Sequence, residues 1–441
     1  MSRALSEQPF EFGAWRVEPA RGVLAPLDGG AGETRIEPRL MDLLLLFAGS
    51  GGRVVGKQEI VDGVWGGRAI GDDTLAAAVS RLRSALGETP ARRYIETLPK
   101  RGYRLVMAPP EGSASGPASR SESNAPPKAA ALLAQGRAAL ANPFPASQAQ
   151  ARLYFEAAVA EAPGWAPAHA GLANALAAQY LAGGGGGSIA AAKACAHAAV
   201  GLDPELAPAW AVLGLAILMG DRDFAAADQA LRRALALDPD LASAHRHRAF
   251  GFAAVGQFVE AERAARRAVE LEPVSLMARG QLLQILLTAR RYRQAIAAAN
   301  EALALAPLSS EGWYAKGWAY ALSGEPAAAA EGLLKGLELW GLDQAQLDIL
   351  RARFDEGGFA ALSAAGADLF QTQKVMFTPR LTDVAFLRAA AGQPDAAFAA
   401  LEAAATQDDP YLTFLPWLPY CDPLRDDPRW PRLLEKVRLI R

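Results

Sequence analysis

Apolar positions along the first hundred residues recur in two rhythms. Residues 10–12, 15–17, 23–27 and 34–36 are short alternating runs separated by Gly and Pro, which predicts a small antiparallel sheet. From Pro38 the period lengthens. Leu40, Leu43, Leu44 and Phe47 fall on one face of a helix over 39–48, opened by the proline. Gly51-Gly52 breaks it and Val54-Val55 reads as a short strand. Residues 57–64 read as a second helix with Ile60, Val61 and Val64 inward and Trp65 just beyond. In DDTLAAAVSRLRSALG, Leu75, Val79, Leu82 and Leu86 recur at spacings of four, three and four, predicting a third helix. Asp72 or Asp73 is its expected cap and Gly87 its stop. Tyr94-Ile95-Glu96-Thr97 then alternates as a strand, Pro99-Lys100-Arg101-Gly102 turns, and Tyr103-Arg104-Leu105-Val106 returns.

Residues 108–128, rich in Pro, Gly and Ser, read as a flexible tether between domains. From Ala129 the pattern becomes Ala- and Leu-rich with helical period. The phrases LDPELAPAW, LDPDLASAH, LEPVSLMAR, LAPLSSEGW and LWGLDQAQL begin at Leu202, Leu237, Leu271, Leu305 and Leu339, at intervals of 35, 34, 34 and 34. An earlier copy, EAPGWAPAH, begins 41 residues before the first of these, and the glycine run of residues 183–187 accounts for the surplus as a loop insertion. About six two-helix units are expected between residues 129 and 340. Small residues mark where paired helices approach: Gly214, Ala226 and Ala230; Ala249, Ala261 and Ala265; Ala295 and Ala299; Gly317 and Ala329. Pro204, Pro239, Pro273 and Pro307 close the second helices, and Gly341 at the next such site marks the array losing register. Residues 342–441 continue as a helical repeat and cap, with Trp417, Tyr420 and Trp430 expected in its core.

Composition changes this picture little; the distribution of charge changes it more. The formal net charge of the chain is -2, yet between Leu75 and Ala108 seven Lys/Arg face two acids. A helix able to enter a groove, beside a basic hairpin, is the footprint of a DNA reader. Arg81 and Arg83 point away from the helix's apolar stripe. Cys195 and Cys421 have no ordered spacing, so reduced thiols are expected rather than disulfide or zinc frameworks. No secretory signal is read in residues 1–20, and the longest apolar run, residues 206–220, is too short to span a bilayer. The expectation is a cytoplasmic, nucleoid-associated protein without a membrane segment.

Residues 10–107 resemble the OmpR-type winged-helix DNA-binding domain over its full length, in FGAWRVEPARGVL, PRLMDLLLLFAGSGGRVVGKQEIVDGVWGG and DDTLAAAVSRLRSALG. The closing RRYIETLPKRGYRLV is most similar to the CadC/ToxR/HilA-like branch, which has no receiver domain. The 34-residue period resembles the tetratricopeptide repeat. The fold class implied is an α+β winged helix-turn-helix domain (1–107), the tether, an all-α tetratricopeptide-repeat superhelix (129–341) and a helical cap (342–441). The resemblance places Ser80, Arg81 and Arg83 on the groove-facing helix, with Thr97, Lys100, Arg101, Tyr103 and Arg104 on the wing. Arg81 is the expected base contact, because a guanidinium bridges two acceptors of guanine. Arg83, Thr97, Tyr103 and Arg104 are expected on phosphates, and Lys100 or Arg101 in the minor groove. The 65–71 loop, from Trp65 to Gly71 with Arg68 inside it, is a candidate contact to RNA polymerase, and a homodimer on DNA is a further expectation.

No catalytic, metal or cofactor motif is present, so neither an enzyme nor a bound cofactor is expected. His245 and His247, two apart on one helix, project to different sides and cannot share a metal. Acidic pairs such as Asp426-Asp427 sit in turns, where capping explains them. The repeats instead offer a concave face, where Asn174, Arg246, Gln284, Tyr314 and Trp318 are the candidate lining for a peptide, protein or small ligand. The reading is a DNA-binding transcription regulator whose repeat domain senses a ligand or recruits a partner. The alternative is an interaction scaffold whose winged helix is a docking module.

Overall fold

The computed structural model describes residues 10–12, 15–26, 33–49, 55–68, 71–88, 94–98, 102–105, 126–140, 145–183, 188–372, 380–437 and 439. The chain divides into two compact units, residues 1–114 and 115–441.

In the first unit β1 (Phe10–Phe12), β2 (Trp15–Glu18), β3 (Val23–Pro26) and β4 (Thr34–Arg35) form an antiparallel sheet in chain order. Val17 stands opposite Leu24, and both are fully buried on the inner face. Three helices follow: α1 (Pro38–Gly49), α2 (Lys57–Trp65) and α3 (Asp72–Ala85). They lead into a ribbon of β5 (Ile95–Leu98) and β6 (Gly102–Leu105). The expected faces close the core: Leu40, Leu43, Leu44 and Phe47 from α1, Ile60 and Val61 from α2, Leu75, Val79 and Leu82 from α3.

One local detail departs from expectation. Gly71, in extended backbone, is the cap residue of α3 and its carbonyl accepts from Thr74 N, so Asp72 and Asp73 fall in the first turn rather than at the cap. Of the expected strand Val54-Val55, Val55 bridges to Tyr103 through hydrogen bonds of 2.8 and 3.1 Å, and Val54 lies outside the described residues. That bridge requires Gly102. At φ +128 a Cβ there would stand 2.1 Å from the Val55 oxygen.

The second unit is helical. Six helix pairs run α4 (Pro127–Leu140) with α5 (Pro145–Glu161), α6 (Ala166–Leu181) with α7 (Ile189–Leu202), α8 (Ala207–Ala216) with α9 (Phe224–Leu237), α10 (Ala242–Ala254) with α11 (Phe258–Leu271), α12 (Leu276–Thr288) with α13 (Tyr292–Leu305), and α14 (Ser310–Ser323) with α15 (Pro326–Leu339). This is the tetratricopeptide arrangement. The first helices of successive pairs approach one another, from α4 and α6 through α12 and α14, while the second helices make no comparable approach. The array therefore curves with the first helices inside. Close packing depends on missing side chains: a Cβ on Gly332 would lie 2.7 Å from the Gly317 Cα, where α14 meets α15. Against α8 the buried alanines of α9 are Ala227, Ala230 and Ala234, with Ala227 in place of the expected Ala226.

Each repeat solves one recurring problem in the same way. The proline that follows a second helix leaves its carbonyl outside any ladder, and a side chain six residues on donates to it. The pairs are His169 Nε2 to Pro163 (2.7 Å), Trp210 Nε1 to Pro204 (2.8 Å), His245 Nε2 to Pro239 (2.8 Å), Arg279 Nε to Pro273 (2.8 Å) and Trp313 Nε1 to Pro307 (2.9 Å). The residue type varies, but an N–H donor at a fixed reach does not.

Beyond Gly341, which turns at φ +97, α16 (Gln344–Thr372) breaks at Gly357 and Gly358 into two helices. α17 (Leu381–Ala390) and α18 (Pro394–Thr406) form another pair. The tail then runs in short 3-10 turns, Pro410–Phe414 and Pro419–Leu424, to α19 (Arg429–Lys436). It lies against the layer of first helices. Phe414 packs on Phe250 of α10 at 5.3 Å, and Tyr420 on Trp318 of α14 at 4.9 Å. Trp417 Nε1 donates to the Ala254 carbonyl (3.0 Å), and Asp422 is held by Arg290 and Arg425. Tyr420 and Trp430 are buried as expected, whereas Trp417 keeps 37% of its surface exposed, edge-on to Phe258. Among the described residues no helix is long and apolar enough to cross a membrane.

The shared donor makes a prediction. His245→Leu leaves the Pro239 carbonyl without its partner and lowers stability by about 1 kcal/mol; His245→Trp, the residue used in two sister repeats, holds it near the wild-type value. Urea unfolding of the three proteins checks this, and equal losses for Leu and Trp would contradict it.

Candidate nucleic-acid interface

The site is built on α3. Its inward residues Leu75, Ala78, Val79 and Leu82 are buried, which turns Thr74, Ala77, Ser80, Arg81 and Ser84 outward on one exposed face. Arg81 is the one cation there among the described residues, flanked by short side chains. Its Nη1 donates to both oxygens of Glu37, at 2.9 and 3.2 Å, and both side chains remain mostly exposed.

Arg83, on the same helix, is engaged differently. Its Nη2 donates to the Ile95 carbonyl and to Thr97 Oγ1, both at 2.8 Å, and its Nε lies 3.3 Å from a Glu88 oxygen. Glu88 in turn accepts from Tyr94 N at 2.7 Å and from Ile95 N at 2.5 Å. Helix end and ribbon start are thus clasped by one carboxylate and one guanidinium. Arg83 and Thr97, expected on phosphates, hold each other here, because Ile95 and Thr97 lie on the ribbon face that turns towards α3. Tyr103, opposite Thr97 in the register, is half-buried with its ring 6.3 Å from Phe47.

Arg104 pairs with Glu96 across the ribbon, but its side chain, like the whole of Lys100 and Arg101, lies outside the described residues. Arg68, in the loop expected to meet polymerase, is exposed. The Glu88–Arg83 clasp escaped the sequence reading. The only trace of it is an acid five residues after an arginine, too common to signal a pairing.

On the repeats, the five expected groove residues separate. Asn174 lines a cavity of about 90 Å³ with Arg137, Phe155, Val212, Ser243 and His247, on the first helices α4, α6, α8 and α10 together with α5. Arg246 lies half-buried with Nη1 against the Met277 sulfur, and Gln284 is half-buried beside Thr288. Trp318 is buried, between Tyr314, Phe359 and Tyr420, and so belongs to the core rather than to an open wall. Tyr314 is half-buried against Trp340, with its hydroxyl fully buried. Trp318 is closed off because the tail seats Tyr420 against it, where the far half of the face would otherwise be open.

His247 and His245 do point apart, one to Ala211 and the other to Pro239. Since a carbonyl only accepts, His247 carries its proton on Nδ1. Burial, reinforced by Arg246, pushes its ionisation down to about 3. Cys195 and Cys421 are free, and burial raises the Cys421 thiol to about 12.

Two outcomes follow. Arg83→Ala removes charge-assisted bonds from a half-buried clasp and costs about 2 kcal/mol. Arg81→Ala loses only an exposed ion pair, worth at most about 1 kcal/mol. Calorimetric unfolding distinguishes them, and an equal effect of the two would contradict the clasp. For His247, the folded value near 3 lies below the unfolded value of 6.5, so its contribution is complete above pH 6.5 and is lost as pH falls towards 3. Stability of the wild type relative to His247→Gln therefore drops on acidification, with a limiting slope of about 1.4 kcal/mol per pH unit. Parallel pH curves would refute the assignment.

Residues 31–105 match the family model described as "Transcriptional regulatory protein, C terminal". The transcriptional activator CadC of Escherichia coli (strain K12) is 33% identical over 104 residues, 23% of this chain and 20% of CadC. The transcriptional regulator HilA of Salmonella typhi is 32% identical over 83 residues, 18% of this chain and 15% of HilA. The match thus spans a fifth or less of these relatives' length. On the repeats, the tetratricopeptide protein TTC0263 of Thermus thermophilus is similar at 22% identity, over 44% of this chain and 99% of that one, with a TM-score of 0.38.

Proposed function

With a winged helix of the transcriptional-regulator type as the premise, we propose that this protein binds duplex DNA and regulates transcription, with α3 in the major groove and the β5–β6 ribbon against the backbone. The observation that carries the reading is the outward face of α3, a single arginine set among Thr, Ala and Ser. Short neighbours let the helix sit deep, and Arg81 is then the side chain long enough to reach a guanine edge. Lys100, Arg101 and Arg104 supply backbone contacts. Arg83, Thr97 and Tyr103 act one step back, by fixing the ribbon against the helix. With so few base contacts, affinity rests mainly on phosphates and specificity is modest.

The repeat unit, on this reading, receives a partner on the half of its face that the tail leaves open, beside Arg137, Asn174, Ser243 and His247. A cavity of about 90 Å³ is too small for a cofactor-sized molecule and suits one side chain of a docked segment. Of the stretch read as a tether, Pro127 and Lys128 instead open α4, and residues 108–125 lie outside the described residues.

Full-length protein is expected to retain duplex DNA in a mobility-shift assay, with log affinity falling against log salt at a slope near -4.5 if about five phosphates are neutralised. Arg81→Ala should lose discrimination between a selected site and shuffled DNA. A salt-insensitive or absent shift would instead favour the scaffold reading.

A further inference from the structure

Glu37 is the acidic side chain joined to the outward face of α3 among the described residues, and its backbone is held by the helix it precedes. Its carbonyl accepts from Leu40 N and Met41 N, at 2.9 and 3.0 Å, opening α1, and Pro38 fixes the next backbone angle. Arg81 is rooted between the buried Val79 and Leu82. The two residues lie 44 positions apart in sequence and meet only because α1 and α3 share one core.

We propose that Glu37 is a positioning residue that aims Arg81 for base recognition, an inference that rests on the DNA-binding reading above. The carboxylate takes Nη1 alone, through both of its oxygens. No other described hydrogen bond engages Nε or Nη2, and these N–H groups are the kind that a guanine O6 and N7 accept from. Ala77, Ser80 and Ser84, the neighbours on that face, are too short to restrain a guanidinium. The pair is also poorly placed for any other purpose. With side-chain exposures of 57% and 60% it adds little to folding. A carboxylate beside a polyanion further weakens binding wherever Arg81 finds no base to reward it. That repulsion sharpens the difference between right and wrong sequences.

The test uses the full chain. The probes are a duplex selected by the wild type from a randomised library and a shuffled duplex of the same composition, and the readout is the ratio of the two affinities. Glu37→Ala is expected to lower that ratio about tenfold, chiefly by tightening binding to shuffled DNA and loosening binding to the selected site. Glu37→Gln, which keeps an acceptor, restores part of it. Arg81→Ala lowers the ratio at least as far, and adding Glu37→Ala to it changes nothing more. Unfolding midpoints stay at the wild-type value, which separates aiming from a folding defect. If Arg81→Ala lowers the ratio while Glu37→Ala leaves it unchanged, the inference is overturned and the DNA-binding reading stands. If Glu37→Ala lowers it equally in the Arg81→Ala background, Glu37 acts elsewhere and the inference again fails. If the wild type retains no duplex in a salt-dependent way, the underlying reading falls, and the inference with it.

Discussion

A peptide group that leaves its helix or strand must find another partner, and both units are arranged around that demand. Between α3 and the ribbon, the buried backbone of Tyr94 and Ile95 is met on its donor side by Glu88 and on its acceptor side, at Ile95, by Arg83. Between repeats, the carbonyl of each helix-ending proline is met by the ring or guanidinium N–H of a residue six positions on. In each case side chains, two at the ribbon and one at each repeat junction, link the end of one element to the start of the next. That link sets the angle between them.

This has a direct consequence at the interface. A guanidinium spent on the Ile95 carbonyl and Thr97 is not available to a phosphate without opening the clasp, so the two arginines of α3 have separate duties. Arg83 fixes where the ribbon lies. Arg81, one residue past Ser80 on the outward face, keeps most of its surface in solvent. A charged side chain that does nothing for the core and sits among small residues is best explained by something outside the chain.

The elements themselves were legible, because each is written in local periodicity. The face of α1 from Leu40 to Phe47, the four-three-four stripe of α3 and the 34-residue recurrence all survive in the structure. What stayed hidden depends on pairings between distant residues. Glu37 with Arg81, Glu88 with Tyr94, and Tyr420 with Trp318 leave no spacing to read. The proline-carbonyl donors were hidden for another reason. His169, Trp210, His245, Arg279 and Trp313 close the repeated phrases at the same register, yet the eye follows residue type, and what they share is an N–H at one reach. Trp318 misled for a related cause. Its repeat position faces inward, as expected, but the tail that covers it lies about a hundred residues further on.

Charge then decides which unit can answer to a polyanion. Residues 1–108 carry a net +2, concentrated from α3 onward, and the remaining 333 residues carry a net -4. Much of the cationic charge in the repeats is already met within the fold. Arg290 and Arg425 converge on Asp422, Arg266 and Arg291 on Glu262, and Arg267 bridges Asp240 and Glu270. At physiological ionic strength charges are screened within about 8 Å, so the weakly acidic repeats neither draw DNA nor repel it from any distance. On the DNA-binding reading, attraction falls to the cations of α3 and the ribbon, of which Arg81 is exposed while Lys100, Arg101 and the Arg104 side chain lie outside the described residues. On the same reading discrimination would rest on small local differences, and the one carboxylate set against Arg81, at the start of α1, is such a difference.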